Sequence, residues 1–376
     1  MVNRVKFVIK EKYIKIVMEI ARIAVALLFI FSGSVKLLDP IGMAIKLEEY
    51  FEVFADDFDS FFHFFTPFSL YIAIFIVVLE VVLGFALLLN YQMVQTTVLL
   101  LGLAIFFTCL TYYSAVFDKV QDCGCFGDAI KLKPWESFYK DLVLTILSGI
   151  IWVNGSMYDP YIKKPVLNVL IMLIIGGAFY TAIRTVNHLP LVDFRAYKIG
   201  NNIPELMEPS EEIRYEYVMT KAGKEFRFTD YPADKSYKFK EMIILNPDAQ
   251  PKITDYGVWN DDGEFTQETF VGKKLFIIIY NTEKAKTMKI SAITQLVEEL
   301  DDDIEAYVLT ATDGETYEQF AEEVGLMVPY YYADATILKT IIRANPGLWL
   351  LQDGVVKGKW NSIDTPTAEL VSSLLN

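Results

Sequence analysis

The sequence predicts a multi-pass α-helical membrane bundle followed by an acidic α/β soluble domain, on three observations. Of its 376 residues 53% are hydrophobic, yet the formal net charge is −14. These extremes are segregated: nearly all long apolar runs lie before Asn187 and most carboxylates after it. From Lys274 onward the pattern becomes strand, helix, strand, helix. The acidity argues against nucleic acid as a partner, because no basic face competes for phosphates. The lipid bilayer is the partner expected of the first half.

Five stretches are apolar for about the 20 residues that a spanning helix needs. They run Ile16–Leu38, Ser69–Asn90, Val94–Phe117, Phe138–Asn154 and Val166–Ile183, and the fourth is short, with Lys140 and Asp141 near its start. The first is longer than a signal h-region and lacks a small-residue cleavage site, so it is expected to remain as an anchor. Orientation follows the lysines and arginines of the flanks. Arg4, Lys6, Lys10, Lys12 and Lys15 precede the first span, and Lys163 and Lys164 precede the fifth. The loop after the first span sets Lys46 against Asp39, Glu48, Glu49, Glu52, Asp56, Asp57 and Asp59. The amino terminus is therefore expected in the cytoplasm and, with five spans, residues 188–376 on the other side of an inner membrane. In a Gram-negative host that side is the oxidising periplasm. The aromatic run Phe58–Phe68 reads as a helix at the outer interface, with His63 an interfacial residue.

In the soluble half, residues 188–257 read as an exit segment and a β-hairpin extension, with Ala222-Gly223 as the turn near Arg214–Phe228. The α/β domain then covers 258–376. Leu275–Tyr280 is a buried strand by its continuous β-branched run. Thr287–Leu300 has helical spacing, Glu305–Leu309 is a second strand and Thr316–Val324 a second helix. Two strands across Gln352-Asp353-Gly354 and a helix Thr367–Leu375 close the chain.

This order resembles the thioredoxin fold in its membrane-tethered, TlpA-like form. Its most specific element is Asn345-Pro346 before an apolar strand, where that family carries a cis-proline facing the active site. The resemblance implies client binding near Pro346. The chain departs from the family at Asn281–Thr287, which has no cysteine where the family places Cys-x-x-Cys. This domain therefore has no dithiol of its own.

The membrane half carries Phe31-Ser-Gly-Ser-Val-Lys-Leu-Leu-Asp-Pro40, Leu79-Glu80-Val-Val-Leu-Gly84 and the loop Cys123-Gly-Cys-Phe-Gly127. Together these resemble the DoxX-like membrane proteins, and more narrowly the MauE branch, over about Val17–Val153. Fusion to a cysteine-free thioredoxin-like domain is similar to DoxX-family proteins of Bacteroidetes. The resemblance implies a helix-bundle core and a redox-linked maturation role of the kind tied to methylamine dehydrogenase.

Four residues of the membrane half are candidates for chemistry. Cys123 and Cys125 are two of only three cysteines. A disulfide across Cys-x-Cys closes a very small ring, which strains it and makes it reducible. A bridge over so short a loop constrains little of the unfolded chain, so a purely structural role is the weaker reading. No metal is expected, since the chain has only His63 and His188 as imidazole ligands. Cys109, in the third span, reads as a packed apolar residue. Glu80, in the middle of an apolar span, is a functional-site candidate by its depth alone. Arg22 is its expected partner, taking the two spans as antiparallel, and Lys36 is placed under the cysteine loop.

The leading expectation is an inner-membrane thiol-disulfide protein. Cys123 and Cys125 would exchange disulfides with a periplasmic client or thiol-redox carrier, and electrons would pass to a quinone as cofactor. The competing readings are a non-enzymatic, client-binding assembly factor with a structural loop disulfide, and a small-molecule carrier built on Glu80 and Arg22.

Overall fold

The computed structural model describes residues 2–120, 127, 129, 130, 132–155 and 158–376, with side chains from residue 15 onward. The chain divides into two compact units, Met1–Phe194 and Arg195–Asn376.

The first unit is helical. Helix α1 (Val2–Leu38) ends at Asp39, whose carboxylate accepts the Gly42 N–H at 2.9 Å and caps α2 (Pro40–Asp57). Proline at the first turn of α2 suits a position with no intrahelical donor to lose. A 3-10 stretch, Ser60–Phe68, continues into α3 (Ser69–Leu88). Then follow α4 (Met93–Phe117), α5 (Pro134–Val153) and α6 (Lys164–Asn187). The aromatic run is thus helical as expected, with Phe61, His63, Phe64 and Phe68 on the outside. Helix α2 was not anticipated.

Among the described residues, four stretches are long and apolar enough to cross a membrane: Lys15–Leu38, Ser60–Leu88, Met93–Phe117 and Lys164–Asn187. The sequence suggests a fifth at Phe138–Asn154, and a helix does occupy it. However, Glu136, Lys140 and Asp141 fall within its 20 residues and set α5 apart from the other four.

The core of the bundle lies between α1 and α3, around Val25, Ala26, Phe29, Ala73, Val77, Val81 and Leu87. Two glycines let these helices approach. A Cβ built on Gly33 would fall 2.8 Å from Val81 Cγ2, and one on Gly84 would fall 2.9 Å from the Ile30 backbone nitrogen. Small residues at such crossings are what allow dispersion contacts where lipid removes the hydrophobic drive. Helix α5 packs on α4 and is tied to it by the Thr108–Thr145 hydroxyl pair at 2.8 Å. Cys109 faces outward from the bundle, which corrects the expectation of a packed side chain.

The second unit begins with a short helix, α7 (Ile203–Met207). A hairpin follows, β1 (Tyr215–Lys221) and β2 (Lys224–Phe228), turning through Ala222 and Gly223 at positive φ. A third strand, β3 (Lys238–Ile244), joins it in the order β2-β1-β3. The remaining elements are β4 (Val258–Asn260), β5 (Gly263–Glu264), β6 (Lys273–Ile279), α8 (Ile290–Glu298), β7 (Ile304–Thr310), α9 (Gly314–Val324), β8 (Tyr330–Ala333), α10 (Ala335–Ile341), β9 (Gly347–Gln352), β10 (Val355–Asn361) and α11 (Ala368–Leu375). They form a seven-stranded sheet in the order β10-β9-β6-β7-β8-β4-β5. Strands β6, β7 and β8 run parallel, while β9 and β10 are antiparallel to their neighbours. One face of β6 packs under α8, α9 and α11 through Leu275, Ile277 and Ile279. On the other face Trp349 lies against Phe276 at 5.7 Å, Tyr197 at 6.0 Å and Tyr256 at 6.1 Å between ring centres. The Asn345–Pro346 bond is cis.

The glycine contacts give a direct test. Gly84→Ala is expected to cost the bundle about 1–3 kcal/mol, because the added methyl meets the backbone of Ile30 and Ala26 as well as the Ile30 side chain. Gly102→Ala meets nothing within 4 Å and is expected to change little. Thermal unfolding of the detergent-solubilised chain compares the two.

Candidate functional site

Cys123 and Cys125 lie outside the described residues, and the site is built from what surrounds their loop. Gly127, the last glycine of Cys-Gly-Cys-Phe-Gly, takes φ +52, and a Cβ on it would sit 3.5 Å from Val35 Cγ1 of α1. The next residue along α1 is Lys36.

Lys36 Nζ donates to Glu80 Oε2 at 2.7 Å, across α1 and α3, and both side chains are only 4% exposed. The ammonium also lies over the Phe107 ring, 4.4 Å from its centre. Glu80 is thus paired with Lys36, and Arg22 is not its partner. Helix geometry gives the reason. Gly33 packs at Val81 and Gly84 at Ile30, so Glu80 stands opposite Ser34. Arg22 lies twelve residues further along α1, which at 1.5 Å per residue is about 18 Å too far. Lys36 is correspondingly a buried ion-pair partner, not a residue held at the surface beneath the loop.

Arg22 does something else. It is 1% exposed, and its Nη1 donates to the carbonyls of Leu87 at 2.5 Å and Leu88 at 3.1 Å. These are carbonyls of the last turn of α3, where the regular intrahelical donors run out. Nη2 donates to Glu19 at 2.5 Å and to the Tyr161 hydroxyl at 3.0 Å, and the Tyr158 ring faces the guanidinium. Arg22 therefore locks the end of α3 to α1 and to the segment before α6.

A narrow cleft of about 20 Å³ adjoins the Lys36–Glu80 pair. Phe29, Phe107 and Leu144 wall it, and Ser32, Lys36, Glu80, Lys140 and Asp141 supply its polar lining. Lys140 and Asp141 form a second ion pair at 3.0 Å, with the Asp141 side chain 6% exposed. The sequence reading used Lys140 and Asp141 only as flaws in a span. The available signal was that two opposite charges stood inside a helix otherwise fit for lipid, thirteen residues after the cysteine loop ends at Gly127. Two ion pairs beside an apolar wall are a setting in which a proton can be held and exchanged. Among the described residues, no group of three or more His, Cys, Asp and Glu is disposed to hold a metal.

In the second unit Pro346 is buried. The residue before it is already engaged: Asn345 O accepts the Lys286 N–H at 3.0 Å, and Asn345 Nδ2 donates to Asn281 O at 2.6 Å. The loop that follows β6 is thereby tied to the start of β9. Asn345 Oδ1 is buried with no partner in the structure.

Removing one member of the Lys36–Glu80 pair leaves a buried uncompensated charge. Lys36→Met or Glu80→Leu alone is expected to cost about 3–5 kcal/mol, and the double variant to regain most of it. A denaturation cycle over the four proteins reads the coupling, and additive losses would show that the two side chains act independently.

No curated protein and no solved structure matches the chain. A family model does: residues 14–154, which contain the whole cleft and the cysteine loop, match Methylamine utilisation protein MauE. The first unit is accordingly similar to MauE-type membrane proteins.

Proposed function

We propose that this chain is a membrane thiol-disulfide protein whose Cys123–Cys125 loop works beside the Lys36–Glu80 cleft. The observation that carries the reading is the contact of Gly127 with Val35, which brings the end of the cysteine loop to the helix position next to Lys36. In the proposed cycle the loop disulfide is reduced to two thiols as a client dithiol becomes a disulfide. The loop thiols are then reoxidised, and their two electrons and two protons pass to a quinone, giving quinol. A quinone has a polar head on an apolar tail. With a quinone bound at the cleft, Glu80 would relay a proton that it first takes up there, and Lys36 would offset negative charge on the head. The Lys140–Asp141 pair stands at the same cleft to exchange that proton.

The proposed topology has five spans, α5 included. Residue 1 is then cytoplasmic and the second unit periplasmic in an inner membrane. The burial of Asp141, Ser137 and Ser148 against the bundle supports a crossing by α5, since its polar atoms are turned inward. We read the second unit as thioredoxin-like. The order β10-β9-β6-β7, the parallel β6 and β7 and the cis Pro346 support this. Its role is to present clients, through the Asn345–Pro346 region, to the loop cysteines. The competing reading is an assembly factor with a structural loop disulfide. The occupied Asn345 carbonyl favours it, because a client strand has to displace the Lys286 N–H.

Cys123→Ser and Cys125→Ser are each expected to abolish client oxidation at normal protein level, and Cys109→Ser to leave it unchanged. Glu80→Gln keeps the shape and a hydrogen bond, so turnover is expected to fall by one to several orders of magnitude with a smaller loss of stability. Alkylation gel shifts in quinone-depleted cells should trap the loop reduced; a loop oxidised under every condition would leave the assembly-factor reading in its place. Reporter fusions at Asn154 and Asn376 should report cytoplasm and periplasm respectively, and the reverse pattern would overturn the five-span topology.

A further inference from the structure

The three-stranded sheet β2-β1-β3 has two unlike faces. Directly opposed residues share a face, and the register sets Tyr217 beside Phe228 and Met242, and Met219 beside Phe226 and Phe239. The loop after β2 lays Tyr231 on Tyr217, with ring centres 5.4 Å apart, and Tyr237 on Phe226 and Phe228 at 5.5 and 5.1 Å. This cover buries Met219 but leaves Phe226, Tyr231, Phe239 and Met242 38%, 61%, 54% and 47% exposed. The opposite face carries a buried Val218 and ion pairs, Glu216 bound to Arg227 at 2.7 Å and Glu225 bound to Lys240.

Charge is also sorted. Across the sheet and its loops, residues 215–244, six Lys and Arg stand beside five Asp and Glu, in a chain of net charge −14. Three of the five acids, Glu216, Glu225 and Glu241, are on the polar face. Lys221 lies over the Tyr237 ring at 4.5 Å and pairs with Asp234 at 3.0 Å, and Lys224 and Lys235 are exposed around the aromatic patch.

We infer that this aromatic face is a docking surface for an anionic phospholipid bilayer. Aromatic rings mixed with lysines are the side chains that settle at a membrane–water interface, where the ring body is apolar and the charge stays with the headgroups. The occupant is at hand, because the same chain carries bilayer-crossing helices and α6 ends at Asn187, before β1 begins at Tyr215. Tethering at that spacing makes contact with the bilayer effectively intramolecular, so a weak patch suffices. A soluble protein partner would gain no such advantage. The inference is independent of the redox reading.

The test uses the full-length chain in nanodiscs of phosphatidylcholine, alone or mixed with phosphatidylglycerol. A photoreactive p-benzoylphenylalanine replaces Phe239 or Met242 on the aromatic face, or Arg227 on the polar face. All three positions are exposed, so folding is not at stake. Lipid crosslinking from 239 and 242 is expected to exceed that from 227 several-fold with phosphatidylglycerol present, and to fall with added salt, which screens exposed charges. Equal lipid yields from both faces would overturn the inference. So would crosslinks from 239 and 242 that go to a second copy of the chain.

Discussion

Glu80 sits in α3 among Ile, Val and Leu, where an ionised carboxylate is tolerable only beside a partner that brings both charge and hydrogen bond. Lys36 is that partner, and much of the bundle follows from the pairing. Meeting it fixes the relative slide of α1 and α3, which brings Gly33 to Val81 and Gly84 to Ile30 and closes the helices to backbone contact. Arg22 fastens the far end of the same helix pair at the Leu87 and Leu88 carbonyls. With both ends held, the space left between α1, α4 and α5 is the cleft, and its polar lining is part of the device that holds the helices in register.

Such a pair is a costly way to gain stability. Desolvating two charges offsets most of their attraction, and apolar residues of similar size do as well or better. Retaining it beside Lys140 and Asp141 makes sense where charge or protons have to be handled inside the membrane. The buried hydroxyls of Ser137 and Ser148 extend the polar face of α5 in both directions from Asp141.

Much of the fold was legible in the sequence because its signals are periodic and local. Apolar length announced α1, α3, α4 and α6, and the β-branched run announced β6. The turn at Ala222-Gly223 was readable from two residues, and the cis bond at Asn345–Pro346 from the resemblance to the thioredoxin fold. What escaped were elements whose pattern is weak or whose partner is remote. Helix α2 mixes carboxylates and aromatics without a clean stripe, and β3, β8 and α10 are short or exposed. Glu80 was legible as a residue but not as a pair. Choosing Arg22 over Lys36 required the slide of two helices, which no count along one chain supplies. The polar lining from α5 was missed for a similar reason: Lys140 and Asp141 read as defects in a span until α1 and α3 are placed against them.

The loop between β6 and α8 bears on any attempt to give the second unit a dithiol. Helix α8 starts at Ile290, eleven residues after β6 ends at Ile279, so cysteines grafted near Asn281 would lie away from a helix amino terminus. Their thiols would keep an ordinary acidity near pKa ~8.5 and stay largely protonated at neutral pH. They would also be clamped by the Lys286 and Asn345 hydrogen bonds, with little freedom to close on each other or to reach a substrate sulfur. Restoring the two missing residues would therefore not restore reactivity. A working graft has to rebuild the helix start as well as the cysteines.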